Sequence, residues 1–162
     1  MFDTKFLLKN GLLAALYVIL TMGLAPISYG PVQVRISEFM TLLAFVNQRY
    51  VPGLVLGCFL ANIGSPFGVM DMVVGTFATF IAVYGMRFCP NIYLASLLPV
   101  AANGVIVGAE LMYLAALPPG MSMLMAMAYI GLGEFLSVSV LGILLVKLML
   151  RNPTLRSFVV RL

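Results

Sequence analysis

The feature that most constrains this chain is the placement of its few charged residues. Only nine Lys or Arg and five Asp or Glu occur among its 162 residues. The cations lie near the two ends of the chain and in short connections, whereas four of the five acids lie inside or at the edge of apolar stretches. In a membrane protein, cations near helix ends set the orientation, and acids within spans usually face a cavity or a partner. The pattern therefore predicts a polar site inside a lipid bilayer.

Composition supports an all-α integral membrane protein and excludes several function classes. The chain is 63% hydrophobic and 9% charged, whereas soluble domains carry about 25% charged residues. It has no histidine, no P-loop and no Ser/His/Asp or Cys/His constellation, so we expect neither an enzyme nor a metal site. The dispersed cations do not form a nucleic-acid footprint. Cys58 and Cys89 lie in apolar surroundings and are predicted to be packing residues.

Glycine and proline divide the chain, residues 1–162, into six predicted spans of a single transmembrane domain. The predicted spans cover residues 6–25, 36–47, 51–61, 69–88, 92–117 and 121–150. The second and third are short, since a helix needs about 20 residues to cross a bilayer. Either these two pack within the protein, or they form one helix kinked at Pro52, which gives five spans.

The distribution of cations favours six spans and sets a predicted orientation. With six spans both chain ends lie on one side of the membrane, and that side holds every cation except Arg35. Five spans would divide the cations between the two sides. Because Lys and Arg concentrate on the cytoplasmic side, we predict that both ends are cytoplasmic.

The polar residues of the spans concentrate in the half that this topology places outside. The candidate ligand-binding residues are Arg35, Glu38, Asn62, Ser65, Asp71, Asn103, Glu110, Met127 and Glu134. They predict a pocket that is open to the outside and closed toward the cytoplasm, since a continuous pore would need a polar lining in both halves.

Simpler roles remain open for several of these residues. Arg35 and Glu38 are three residues apart and would also stabilise the start of a helix as an ion pair. Asp71 would also suit a helix N-terminus, and Met127 would also suit a lipid-facing position.

The first span carries small residues at Gly11, Ala14 and Ala15. Gly11 and Ala15 are four residues apart, a spacing that lets another helix approach closely. That helix would belong either to this chain or to a separate membrane subunit.

Four sequence stretches resemble the QueT family. These are Val-Gln-Val-Arg-Ile-Ser-Glu at 32–38, Leu-Gly-Cys-Phe-Leu-Ala-Asn at 56–62, Ser-Pro-Phe-Gly-Val-Met-Asp at 65–71, and Gly-Thr at 75–76. The resemblance implies a six-helix S component, the substrate-binding subunit of an energy-coupling factor (ECF) type ABC importer in a bacterial plasma membrane. It implies no covalently bound cofactor, and membrane lipid around the helices. It implies as partners a transmembrane coupling protein of the EcfT type, docked on Gly11, Ala14 and Ala15, and two ATPase subunits that use ATP.

The resemblance implies a vitamin-like micronutrient as ligand, with two alternatives. A queuosine precursor is a flat deazapurine that Glu38, Asn62, Asp71 and Glu110 would hold by hydrogen bonds. Cobalamin (vitamin B12) would instead use a roomy pocket near the Met-rich start of the last span. A third alternative is a small ion-coupled transporter or channel that acts alone, with Glu110 and Glu134 as proton or cation sites.

Overall fold

The computed structural model describes residues 3–30, 33–114 and 116–160. Within these ranges all regular secondary structure is helical, which confirms the predicted all-α class. The cation Arg161, the first residue of the 32–38 stretch and residue 115 of the fifth predicted span lie outside the described residues.

Eight helices, and one 3₁₀ turn at Gln48–Tyr50, follow one another along the described residues. The helices are α1 (Thr4–Gly23), α2 (Ala25–Ser28), α3 (Ile36–Val46), α4 (Val51–Asn62), α5 (Val69–Phe88), α6 (Ile92–Tyr113), α7 (Met123–Arg151) and α8 (Pro153–Val160). Four stretches of the described residues depart from α-helical geometry. Ile36–Leu42 of α3, Gln48–Tyr50 before α4 and Met86–Phe88 of α5 are 3₁₀-helices, and Phe135–Gly142 of α7 is a π-helix.

Four of these helices have the length and hydropathy to cross a membrane: α1, α5, α6 and α7. Twenty helical residues span about 30 Å, the thickness of a bilayer's hydrocarbon core. The helix α4 has 12 residues and α3 is also short. The count of six spans and the side on which the ends lie therefore stay predictions.

The helices α1, α4, α5, α6 and α7 pack in that order, each against the next, while α3 packs in the middle. The 3₁₀ part of α3 contacts α1, α4, α6 and the π-helical part of α7. Its side chains Ser37, Met40 and Leu42 are almost completely buried. A helix surrounded by protein need not match the thickness of the bilayer. This accounts for the shortness of α3 and agrees with the alternative in which it packs within the protein.

Glycines set the close contacts between helices α1 and α4 and between α6 and α7. A methyl group at Gly57 of α4 would lie 2.8 Å from the Tyr17 Cβ of α1. One at Gly108 of α6 would lie 2.6 Å from the Met127 Cγ of α7. These distances are shorter than any carbon–carbon contact allows, so the observed helix separation requires glycine at both positions.

Hydrogen bonds tie α8 to one end of the bundle. Lys9 of α1 donates to the Phe158 carbonyl, and the Tyr50 hydroxyl donates to the same oxygen at 3.2 Å. The Asn47 amide donates to the Val160 carbonyl at 3.1 Å. The beginning of α1, the turn at 47–50 and α8 therefore lie together, at the end where the topology predicts the cytoplasmic cations.

The distribution of polarity is that of an integral membrane protein. Large apolar side chains point outward, among them Leu8 at 71% exposure and Leu124 at 76%. In contrast, the acids of α3, α5, α6 and α7 are buried. An apolar surface is stable in contact with lipid. The buried acids therefore lie in the interior of the bundle, away from the lipid.

Candidate functional site

Arg35 is the centre of a buried polar cluster at the end of the bundle opposite to α8. Its Nη1 donates to Asn62 Oδ1 at 2.9 Å, and its Nη2 donates to Asp71 Oδ2 at 3.3 Å. Its Nε donates to the Ser28 carbonyl at 3.3 Å. One guanidinium thus joins the end of α2, the end of α4 and the beginning of α5. We call Arg35, Asn62 and Asp71 the arginine cluster.

The arginine cluster is shielded by Tyr29 and completed by a second contact between α4 and α5. The Arg35 guanidinium lies 5.4 Å from the centre of the Tyr29 ring, whose hydroxyl donates to the Ala61 carbonyl at 2.6 Å. The Asn62 amide also donates to the Asp71 carbonyl at 3.0 Å. Burial disfavours the charged guanidinium, but Asp71 more than compensates, so the pKa of Arg35 lies above its ordinary value.

The ion pair suggested by the three-residue spacing of Arg35 and Glu38 does not occur among the described residues, because Arg35 pairs with Asp71 instead. Asp71 does lie in the first turn of α5, the helix N-terminus that the sequence also suggested for it. The cap residue of α5 is Gly68, which has no side chain, and an Asp71 carboxylate oxygen accepts from Arg35.

Glu38 lies in the middle of the bundle and accepts a hydrogen bond from a side chain of α1. The Tyr17 hydroxyl donates to Glu38 Oε1, and both side chains are completely buried. One turn further along α1, the Thr21 and Ser37 hydroxyls are 2.6 Å apart and share a hydrogen bond. Tyr17 is therefore an interior residue that the candidate residues of the sequence analysis did not include.

Asn103 and Glu134 join α6 to α7 at the start of the π-helix. The Asn103 amide donates to Glu134 Oε1 at 2.8 Å, and both residues are buried. Two turns of α6 away from Asn103, Glu110 is 5% exposed. Buried polar side chains of α3, α5, α6 and α7 therefore lie in the interior of the bundle.

Several buried oxygens of this interior have no hydrogen-bond partner among the described residues. They are Glu38 Oε2, Asp71 Oδ1, Asn103 Oδ1, both Glu110 oxygens, Glu134 Oε2 and the Ser137 hydroxyl. An unsatisfied buried polar group costs about 1–3 kcal/mol, and native proteins hold few of them. We call this set the open acceptors, because a polar ligand entering the interior would find unused hydrogen-bonding capacity there.

Ser65 and Met127 lie beside the interior rather than at its centre. The Ser65 hydroxyl accepts from the Phe67 amide at 3.2 Å and so shapes the loop between α4 and α5. Met127 is partly buried and packs against Gly108 of α6. The Ser65 backbone amide also donates to the Asn62 carbonyl at 3.1 Å, so Ser65 adjoins the arginine cluster.

The small residues of α1 lie on two different faces. Gly11 and Ala15 are exposed, and a methyl group at Gly11 would meet no atom within 4 Å. Ala14 is buried against Gly57 of α4. Only Gly11 and Ala15 therefore present a surface that a second membrane protein can reach.

Gly75 was not singled out as a site residue, although it determines the arginine cluster's geometry. A methyl group there would lie 2.7 Å from Asp71 Oδ1 and 2.9 Å from Asn62 Nδ2. The sequence signal that could have identified Gly75 is its position one helical turn after Asp71. A side chain at Gly75 would compete with the Asp71 side chain for the same space.

Helices with an apolar exterior and a buried set of charged and amide side chains are typical of a polytopic membrane protein with a polar interior. The QueT transporter family model matches residues 7–151, and the chain belongs to this family.

A curated relative agrees with the family assignment. The chain is 46% identical over 72 residues to a protein named queuosine precursor transporter QueT from Lactococcus lactis subsp. cremoris (strain MG1363). That match spans 43% of this chain and 42% of the relative, less than half of either. No solved structure matched the chain.

Proposed function

We propose that this protein is the substrate-binding subunit of an ECF-type importer and that its interior binds a queuosine precursor. The observation that carries the proposal is the set of open acceptors in a buried, lipid-surrounded interior. A protein that captures a ligand needs hydrogen-bond acceptors that are free for the ligand. In a purely structural polar core, the protein's own donors would be expected to satisfy these acceptors.

The name of the Lactococcus relative supports a queuosine precursor over cobalamin. A flat heterocycle with several N–H groups also suits the open acceptors, since most of these are carboxylate or amide oxygens. The argument for cobalamin rests on the Met-rich start of α7, where Met123 and Met125 are exposed. Exposed methionine side chains on the surface of α7 are equally suited to contact with membrane lipid.

Titration calorimetry of the purified protein decides between the two ligands. The protein is prepared from cells grown without either compound and titrated with a deazapurine precursor and, separately, with cobalamin. We expect submicromolar binding of the deazapurine and no heat with cobalamin. The reverse result refutes the queuosine-precursor proposal but leaves the importer proposal standing.

We further propose that the exposed face of α1 at Gly11 and Ala15 docks the transmembrane coupling protein, whose two ATPase partners supply the energy. A bulky side chain on this face would separate the two proteins without disturbing the interior, because a methyl group at Gly11 meets nothing within 4 Å. Gly11→Leu is therefore expected to abolish uptake while leaving ligand affinity unchanged. Leu12→Ala, a truncation at the exposed neighbour of Gly11, is the control and keeps uptake.

A transporter that acts alone is the competing function, and the buried carboxylates Glu110 and Glu134 favour it. Uptake is measured in cells that lack the ATPase subunits. Uptake that persists there, and survives Gly11→Leu, refutes the importer proposal and supports an ion-coupled mechanism.

A further inference from the structure

A basic surface cavity lies between α7 and α8, at the end of the bundle opposite to the arginine cluster. Its volume is about 410 Å³. The lining combines two guanidinium side chains and a hydroxyl with apolar groups: Leu150, Arg151, Pro153, Arg156, Ser157 and Val160. We call this space the basic cavity. It is separate from the interior that holds the open acceptors.

A hydrogen-bonded turn fixes the backbone on both sides of the basic cavity. The Asn152 side chain accepts from the backbone amides of Thr154 and Leu155 at 3.0 and 3.3 Å. The Arg156 backbone amide donates to the Asn152 carbonyl at 2.8 Å. Three side-chain hydrogen bonds to the last turns of α8 hold this helix against the bundle. Arg151, at the end of α7, and Arg156 of α8 are therefore carried on held backbone at one cavity.

The charges of the two arginines are not neutralised within the described part of the chain. Both side chains are exposed, and no described carboxylate lies within ion-pair distance of either. The described acids other than Asp3, which precedes α1, are buried in the interior. A guanidinium presents a planar fork of N–H donors that matches two phosphate oxygens. The basic cavity therefore favours an anion that carries a phosphate group.

An apolar stripe leads from the lipid-facing surface of α7 to the basic cavity. Leu144 and Leu148 are exposed, and Arg151 follows Leu148 by three residues, so all three lie on one face of α7. On α8, the exposed Leu155 is the neighbour of Arg156. An acyl chain can lie along these leucines while its headgroup meets the guanidiniums. A soluble anion would use the arginines but not the leucines.

We propose that the basic cavity binds the headgroup of an anionic phospholipid, with Arg151 and Arg156 on its phosphate and an acyl chain along Leu144 and Leu148. Basic pockets beside membrane-spanning helices suit anionic headgroups, and the cytoplasmic leaflet is the negatively charged one. The inference agrees with the predicted orientation, which places this end of the bundle in the cytoplasm. It does not depend on the identity of the ligand that the interior binds.

The test compares two lipids that differ in headgroup charge. The full chain is purified in a neutral detergent and titrated with dioleoyl phosphatidylglycerol, which is anionic, or with dioleoyl phosphatidylcholine, which is zwitterionic. Native mass spectrometry gives the affinity for the first bound lipid. We expect the anionic lipid to bind about 25-fold more tightly, since each of the two arginines contributes about 5-fold at an anionic surface. Excess glycerol 3-phosphate, a phosphate without acyl chains, should not displace it.

The double variant Arg151→Gln, Arg156→Gln removes both charges and is expected to bind the two lipids within about 2-fold of each other. Both side chains are exposed, so its thermal unfolding midpoint in lipid-free detergent should equal that of the unaltered protein. Lys5→Gln with Arg87→Gln is the matched control. It removes two exposed cations that do not line the basic cavity, and it should keep the preference.

A second double variant, Arg151→Lys with Arg156→Lys, keeps the test decisive if the glutamine variant fails to fold. Lysine retains the charge but loses the planar fork of donors. This variant should still prefer the anionic lipid, with a weaker preference than the unaltered protein. An unchanged preference would show that the guanidiniums do not bind the phosphate.

Four further outcomes would overturn the lipid site. They are equal binding of both lipids by the unaltered protein, a preference that survives the loss of both arginines, an equal loss of preference in the control variant, and displacement of the lipid by glycerol 3-phosphate. The second of these, combined with reduced uptake by the glutamine variant, would assign the basic cavity to a protein partner instead. The proposed function stands in each case, because calorimetry measures binding in the interior separately.

Discussion

Gly75 tests whether the arginine cluster depends on close packing between α4 and α5. In Gly75→Ala the new methyl group would lie 2.7 Å from Asp71 Oδ1 and 2.9 Å from Asn62 Nδ2, whereas ordinary contact begins at 3.4 Å. The Asp71 carboxylate must therefore move by about 0.7 Å, the difference between 3.4 and 2.7 Å. Its bond to Arg35 is already 3.3 Å long, so a shift away from Arg35 would break it.

The cost of this change is larger than the gain in helix propensity. Overpacking of a well-packed interior costs about 1–3 kcal/mol, and leaving a buried ion pair incomplete costs about 3–5 kcal/mol. Replacing glycine by alanine inside a helix contributes at most about 1 kcal/mol in the opposite direction. At about 2–4 °C per kcal/mol for a chain of this size, the thermal unfolding midpoint should fall by several degrees.

The measurement is thermal unfolding in detergent, followed by the affinity for the ligand that calorimetry identifies. Gly131→Ala is the matched control, because its methyl group would meet only Val100 at an ordinary distance of 3.8 Å. This variant should unfold at the same temperature as the unaltered protein or slightly higher. If Gly75→Ala behaves like Gly131→Ala in both assays, the arginine cluster tolerates the added group and the reasoning from packing is wrong.

Three further substitutions test contacts elsewhere in the fold. Asp71→Asn should lower the free energy of unfolding by about 3–5 kcal/mol because it leaves Arg35 buried without a counter-ion; a stability like that of the unaltered protein would contradict the ion pair. Gly108→Ala should lower the unfolding midpoint because its methyl group would lie 2.9 Å from the Met127 Cα, and an unchanged midpoint would refute the close α6–α7 contact. Tyr50→Phe removes a bond to the last turn of α8 and should expose α8 to trypsin about 5-fold faster; equal cleavage rates would show that the bond does not hold α8.

The sequence predicted which residues are polar and buried better than it predicted their partners. Arg35 and Asp71 were both expected in the site, since each is a charged residue beside an apolar span. Their pairing was not, because they are 36 residues apart and local spacing favoured Glu38 as the partner of Arg35. Tyr17 was missed for a similar reason: its role depends on α3 lying inside the bundle, which span lengths alone left undecided.

Interior groups that already have hydrogen-bond partners and interior groups that lack them should respond differently to a ligand. Arg35 donates from three nitrogens and lies over the Tyr29 ring, so it can contact a ligand only by giving up a bond it already has. Glu110 gives up nothing, because neither of its oxygens has a partner among the described residues. A ligand should therefore engage the open acceptors without rearrangement, whereas any change at the arginine cluster would loosen the connections between α2, α4 and α5. Substitutions at Glu110 should therefore change binding affinity, whereas substitutions at Arg35 should weaken the contacts between α2, α4 and α5.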